Sequence, residues 1–161
     1  MGVKKKKGVG PGEELVCTNP NATRRYEIED RFEAGLVLQG SEVKSLRNRK
    51  ANLDGAYASV DNGEVWLHKM HIGPYELATV GGHEPSQRRK LLLHRGEVSK
   101  IHGKLTVRGY TLVPLKVYFK NGWAKIQIGL GKGKNIGDRR QDLHKKAAVR
   151  EARDAVRRGK Q

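Results

Sequence analysis

The sequence predicts a mainly β domain of about six short antiparallel strands, each burying one apolar face. Two observations carry this. Asn62-Gly63 and Asn121-Gly122 each sit between stretches that alternate apolar and polar residues, and Asn-Gly suits the two-residue type I′ turn, which needs positive φ at both central positions. A third is the period-two run of Tyr26, Ile28, Phe32, Ala34, Leu36 and Leu38. The chain has 161 residues, of which 36% are hydrophobic, enough for one modest core with appended tails. One domain of this size is too small for two large sheets. A closed small barrel removes the sheet edges; a two-layer sandwich is the alternative.

In chain order, the run from Tyr26 reads as a long strand bent by a bulge at Asp30 and ended by Gly40. Ser41 suits the N-cap of a short helix in which Val43 and Leu46 stand three apart. The first hairpin then places Ala58, Val60, Val65 and Leu67 inside, and Tyr57, Ser59, Asp61, Glu64, Trp66 and His68 outside. A helical segment is predicted to open at Pro85, run from Arg88 to His94, break at Gly96, resume over Glu97 to His102 and close at Gly103. In the second hairpin, Thr111–Lys120 and Trp123–Leu130, a two-residue loop sets Lys120 opposite Trp123, Phe119 opposite Ala124 and Tyr118 opposite Lys125. One surface of that ribbon carries Leu115, Val117, Phe119, Ala124, Ile126 and Ile128. The other carries Lys116, Tyr118, Lys120, Trp123, Lys125 and Gln127. A slip of one residue would bury the lysines, so the register is strongly specified. Strand, short helix, hairpin, helical insert and hairpin together suit a six-stranded antiparallel barrel of the oligonucleotide-binding (OB-like) kind, with about two or three short helices and a basic C-terminal tail.

Four glycines in the nine residues from Gly129 to Gly137 read as a hinge. Beyond it, Asp138 with Gln141 three residues on resembles a capping box. Lys146, Arg150, Arg153 and Arg157 then fall on one helical stripe, with Ala148, Ala152 and Ala155 roughly opposite. Three alanines bury too little area to offset ordering roughly twenty residues at ~1–2 kcal/mol each. The tail is therefore predicted to be disordered or partly helical until its stripe meets phosphates. The expected organisation is a basic extension over 1–12, a barrel over 13–130 and a Gly-hinged basic tail over 131–161.

Charge bounds the partner. The chain holds 33 Lys+Arg against 17 Asp+Glu, a net +16. Residues 1–12 carry +4, all from Lys4–Lys7, residues 13–129 carry +5, and residues 130–161 carry +7. Cationic ends on a nearly balanced body point to a polyanion. The cation-and-ring surface of the second hairpin strengthens this, since charge suits phosphate and π-faces suit bases. No apolar run approaches the ~20 residues that cross a bilayer, and none follows the lysine run as a secretory signal would require. A cytoplasmic monomer with no membrane partner is expected.

Catalytic readings are weak. Cys17 is the only cysteine, which excludes an intrachain disulfide and a four-cysteine or two-cysteine, two-histidine zinc site, and it lacks a paired base. His68-x-x-His71 has ligand-like spacing but no cysteine or acidic companions. The glycine-rich run fits neither the Walker nor the Gly-x-Gly-x-x-Gly spacing. Glu27, Glu29, Asp30 and Glu33 are spaced irregularly, as on a solvated strand. No enzyme activity, cofactor or metal is expected. An RNA-processing enzyme and a constitutive ribosomal protein are the competing classes.

Several ordered stretches are familiar: Phe32-Glu-Ala-Gly-Leu-Val-Leu-Gln-Gly-Ser-Glu-Val-Lys-Ser-Leu-Arg47, Arg89-Lys-Leu-Leu-Leu-His94, Thr111-Leu-Val-Pro-Leu-Lys-Val-Tyr-Phe-Lys-Asn-Gly122, and Lys132-Gly-Lys134 leading to Asp138-Arg-Arg140. Over about residues 15–142 the chain resembles the SmpB family, whose members bind transfer-messenger RNA (tmRNA, SsrA RNA) in bacterial trans-translation. The resemblance implies an OB-like barrel that grips the elbow of the RNA's transfer-RNA-like domain. It implies entry into the vacant A site of a stalled ribosome, with elongation factor Tu delivering the charged RNA. It also implies a cationic tail set against ribosomal RNA in the decoding region. Position by position, it implies RNA-binding roles for Asn19, Glu33, Glu42, Lys44, Arg47, Lys90, Leu91, Leu92 and Leu93, to which the cation-and-ring face of the ribbon adds Lys116, Tyr118, Lys120, Trp123 and Lys125. It implies decoding-region roles for Lys132, Lys134, Asp138, Arg139 and Arg140, continued by Lys146, Arg150, Arg153 and Arg157. Gly137 stands where the family usually has an aromatic residue, and Asn135 where it usually has lysine.

Overall fold

The computed structural model describes residues 10–77, 82–134 and 136–159, and for 136–143 the backbone alone. Lys4–Lys7 and Asn135 lie outside the described residues. The elements are β1 (Glu13–Thr18), α1 (Pro20–Arg25), β2 (Tyr26–Leu36), α2 (Gly40–Arg47), β3 (Ala51–Asn52), β4 (Tyr57–Asp61), β5 (Glu64–His68), β6 (His71–Ile72), β7 (Arg89–Leu92), α3 (Arg95–Leu105), β8 (Tyr110–Lys120), β9 (Trp123–Gly133) and α4 (Ile136–Arg158). Seven strands form one antiparallel sheet in the order β1-β8-β4-β5-β7-β2-β9, and β9 pairs with β8 as well as with β2. A small β3–β6 ladder stands apart.

Both Asn-Gly turns form as the sequence predicts. Asn62 and Gly63 have φ of 49° and 75°, and Asn121 and Gly122 of 51° and 82°. The registers follow: Asp61 faces Glu64, Lys120 faces Trp123, and Tyr118 faces Lys125. Inside the sheet, Leu67, Leu112, Val117, Ile126, Ile128 and Leu130 are fully buried, joined by Leu46 from α2 and Ile101 from α3.

Three ladders shift register, the β1–β8 ladder between Leu15 and Cys17 and two others that shape this core. The β2–β9 ladder shifts register between Ile28 and Asp30, where the sequence predicts a bend. The β8–β9 ladder shifts between Pro114 and Lys116, which it does not predict. One extra residue inverts every side chain beyond it. Leu115 therefore leaves the Val117 and Phe119 face and joins Val113, Ala22, Tyr26 and Ile28 in a second cluster under α1. That corrects the single apolar face expected of the ribbon.

Other expectations are overturned. The leucines at 91–93 form strand rather than helix, because Arg89–Leu92 finds β5 on one side and β2 on the other. A short apolar run cannot separate the two conformations, and pairing on both edges decided it. Gly96 and Gly103 neither break nor close a helix but lie within α3, a position costing about 1 kcal/mol each relative to alanine. Gly40 does not end a strand. It opens α2, with Gln39 at the N-cap, while the Ser41 side chain pairs with His83 Nδ1 at 2.9 Å.

Last, the glycine run is not a hinge as far as Gly133, because β9 continues through it. A Cβ on Gly131 would lie 2.1 Å from the Glu27 carbonyl oxygen, and one on Gly129 3.0 Å from Ile28 Cγ2 and 3.1 Å from Leu115 Cδ1. These glycines let β2 and the second cluster approach closely. Helix α4 begins at Ile136, so Asp138 lies inside it rather than at its cap. The side chains of 144–159 are exposed throughout.

Candidate nucleic-acid interface

The sheet sends alternate residues outward, and its registers gather them into rows. One row runs Leu92, Gly35, Lys125, Tyr118, Leu15; beside it runs Glu33, Gln127, Lys116, Thr18. Thr18 on β1 and Leu92 on β7, remote in sequence, thereby stand at opposite ends of one wall built by the pairing of β1, β8, β9, β2 and β7.

 Arg95 follows β7 as the first residue of α3. Beside it, Lys90, Leu92, Leu93, Val98 and His102 line a groove of about 500 Å³. Leu92 is 54% exposed.

Glu33 is the electrostatic centre of the wall. Its carboxylate accepts a hydrogen bond from the Tyr118 hydroxyl, and Lys120 Nζ lies 3.4 and 3.5 Å from its two oxygens. The Tyr118 hydrogen bond chiefly holds the Glu33 carboxyl below its ordinary pKa; desolvation opposes this, and Lys120 and Lys125 assist. The Tyr118 phenol is pushed upward, first by burial and then by Glu33. Its ring is only 3% exposed, so Tyr118 is not the stacking surface the alternation suggests. β1, which the sequence reading missed, runs along that edge of β8 with Leu15 opposite Tyr118. Trp123, 73% exposed at the hairpin tip, keeps its ring in solvent. Lys116 Nζ lies 5.3 Å from the Tyr118 ring centroid.

Asn19 precedes α1 and ties it to the β8 bulge. Its Nδ2 donates to the Pro114 carbonyl at 3.0 Å, and its backbone N–H donates to the Leu115 carbonyl at 2.8 Å. With Thr18, Arg31, Lys116 and Gln127 it lines a groove of about 220 Å³, so it borders the same wall. Arg31 is an exposed cation that the sequence reading left out, although the period of β2 places it on the Glu33 face.

Two other expected RNA contacts are internal. Glu42 is 1% exposed and pairs with Arg89 Nε at 2.6 Å. Arg89 also donates to the carbonyls of Met70 at 2.6 Å, Pro85 at 3.0 Å and Gln87 at 3.1 Å, while the Gln87 amide donates to Glu42. The pair fastens α2 to β7 and to the segment before it. Leu91 is a core residue. Of their neighbours, Lys90 pairs with Glu64 at 2.9 Å. Lys44 and Arg47 are exposed on α2, over the rings of Tyr75 at 5.3 Å and Phe119 at 4.7 Å.

The tail residues divide. Lys132 lies at the exposed end of β9, 4.8 Å from the Tyr110 ring centroid, and the Lys134 N–H donates to the Arg25 carbonyl at 2.7 Å. Lys146, Arg150, Arg153 and Arg157 are exposed on α4. The side chains of Asp138, Arg139 and Arg140 lie outside the described residues. Elsewhere, His68 stacks on Tyr57 at 4.9 Å and pairs through Nε2 with Ser59 Oγ at 2.8 Å, so its spacing to His71 reflects strand packing. Cys17 has its thiol pushed up to about 11 by burial, a poor nucleophile.

Fold and surface together define a class: a small basic β protein whose sheet wall carries cations and an exposed ring beside a single carboxylate, the cations being what polyanion recognition requires. Within that class, the chain belongs to the SmpB protein family, whose model matches residues 16–158. An SsrA-binding protein of Geobacter metallireducens is 51% identical over 146 residues, covering 91% of this chain and 95% of that protein. One from Anoxybacillus flavithermus is 53% identical over 143 residues, covering 89% and 93%. A solved chain described as "tmRNA-SmpB: a journey to the center of the bacterial ribosome" aligns with a TM-score of 0.63 at 43% identity, covering 74% of this chain and 85% of that one.

Proposed function

We propose that this protein binds the transfer-RNA-like domain of tmRNA and brings it to the A site of stalled ribosomes, as an RNA-binding adaptor rather than a catalyst. The observation that carries this is the outward row of Glu33, Gln127 and Lys116 beside Lys125 and Leu92, in a chain about half identical to SsrA-binding proteins. The wall supplies positive charge for phosphates and one carboxylate for base or sugar donors. Pairing around β8, β4, β5, β7, β2 and β9 and back to β8 supports the reading of an OB-like barrel, the kind of surface on which irregular RNA is held.

RNA contact is assigned to Asn19, Glu33, Leu92, Lys116, Lys120, Trp123 and Lys125, with Lys90 and Leu93 at the groove edge. Tyr118 supports them from beneath. The tail begins after Lys134, where β9 has ended, and its basic stripe on α4 suits ribosomal RNA. Elongation factor Tu joins through the RNA, and the site of action is the cytoplasm.

The test is capture of RNA from a bacterial lysate on the full chain, followed by sequencing. The expected result is strong enrichment of tmRNA; its absence, or equal recovery of all ribosomal RNAs without it, overturns the reading. Cutting the chain after Lys134 preserves tmRNA capture and abolishes peptide tagging. Loss of both would make the tail part of the primary RNA grip. A cut after Leu130 is unsuitable, because it removes paired residues of β9.

A further inference from the structure

A carboxylate on a wall built to attract phosphate weakens polyanion binding, so Glu33 must be matched to something other than phosphate. An ionised carboxylate accepts hydrogen bonds and donates none. Its orientation is restrained from within the wall. The Tyr118 ring is buried in the row between Leu15 and Lys125, and its hydroxyl donates to one carboxylate oxygen. Lys120 Nζ, at 3.4 and 3.5 Å, adds charge without saturating either oxygen. The Glu33 side chain remains 38% exposed, and two oxygens offer about four acceptor positions, so acceptor capacity is left for a ligand.

Two adjacent acceptors match two adjacent donors. Among RNA bases, only guanine presents such a pair on its Watson–Crick edge, N1–H beside the N2 amino group. Adenine and cytosine each set an amino group beside an acceptor ring nitrogen, which a carboxylate repels. Uracil flanks its single N3–H with carbonyls. In RNA this edge is free only where the nucleotide is unpaired, as in a loop.

We propose that Glu33, positioned by Tyr118, reads the Watson–Crick edge of an unpaired guanine in the bound RNA. This rests on the RNA-binding function argued above and gives that site a base preference. Tyr118 acts through Glu33 and is a positioning residue. The neighbouring lysines hold the backbone on either side.

The test uses the full chain and short oligouridylates carrying a single central guanosine, inosine, adenosine or cytidine, with binding read by fluorescence anisotropy. The guanosine oligomer is expected to bind about tenfold tighter than the adenosine and cytidine ones, the scale of a bidentate base contact. Inosine, which lacks the N2 amino group, should fall between. Glu33→Gln should remove the preference, because an amide cannot accept at both positions. Tyr118→Phe keeps the ring and its packing, and should reduce the preference several-fold. In the Glu33→Gln background, Tyr118→Phe should change nothing further, a coupling that general loosening of the fold would not produce. Tyr118→Phe should leave the salt dependence of binding unchanged, since the phenol neutralises no phosphate.

Equal affinity for all four oligomers, or an equal effect of Tyr118→Phe with and without Glu33→Gln, overturns the proposal. Capture of tmRNA with no guanine preference defeats this inference alone. Failure to capture tmRNA defeats the reading on which it rests.

Discussion

Gly131→Ala tests whether the glycine-rich stretch is a crossing strand or a hinge. A Cβ at Gly131 would lie 2.1 Å from the Glu27 carbonyl oxygen and 3.0 Å from Ile28 Cα. A carbon–oxygen contact relaxes only near about 3.3 Å, so β2 and β9 must part by roughly 1 Å at the Ile28–Gly131 pair. Overpacking of this kind costs about 1–3 kcal/mol, and weakening of neighbouring ladder hydrogen bonds adds about 1 kcal/mol each. The expected loss is about 2–5 kcal/mol, which lowers Tm by about 5–15 °C for a protein of this size. Gly133→Ala is the matched comparison, because nothing lies within 4 Å of a Cβ there. It should be neutral or stabilising by up to about 1 kcal/mol. Urea and thermal unfolding followed by circular dichroism measure both. Indistinguishable behaviour of the two variants would refute the crossing geometry and restore the hinge.

Glu42→Ala leaves the Arg89 guanidinium buried without its counter-charge and should cost about 3–5 kcal/mol in urea unfolding; a loss under about 1 kcal/mol would show that the carbonyls of Met70, Pro85 and Gln87 suffice alone. Tyr118, held protonated by burial and by Glu33, should not ionise near about pH 10, where an ordinary phenol does, so Tyr118→Phe should remove no tyrosinate absorbance amplitude from that range. The sign of the linkage follows: the unfolded chain loses this proton near about pH 10 while the folded one keeps it, so stability falls as pH rises through that range. Replacing Lys116, Lys120 and Lys125 together by alanine should lower the log–log salt slope of tmRNA binding by about 2–3. An unchanged slope would place the RNA on another face.

Much of the wall was legible because it depends on local rules. Asn-Gly turns set the registers of both hairpins, and period two then assigned Lys116, Lys120, Trp123 and Lys125 to the outside. Tyr118 obeyed the same rule and still proved buried, since whether an outward side chain meets water depends on what lies over it. β1 and Glu33 come from distant parts of the chain, and no local pattern announces that they enclose a tyrosine. Glu42 illustrates the same limit. On its helix it reads as a surface acid, and only the arrival of Arg89 on β7 makes it an internal ion pair.

Composition and periodicity by themselves determined a basic, mainly β body with two hairpins of known register, and the ordered motifs placed it in its family. Tertiary structure decided three things that spacing does not encode: the strand identity of Arg89–Leu92, the inversion of Leu115 at the β8 bulge, and the extension of β9 through its glycines. The physical reason is common to all three. Each depends on the approach of a segment remote in sequence, β5 and β2 for the first, α1 for the second and the Glu27 backbone for the third, and such proximity is a property of the assembled sheet.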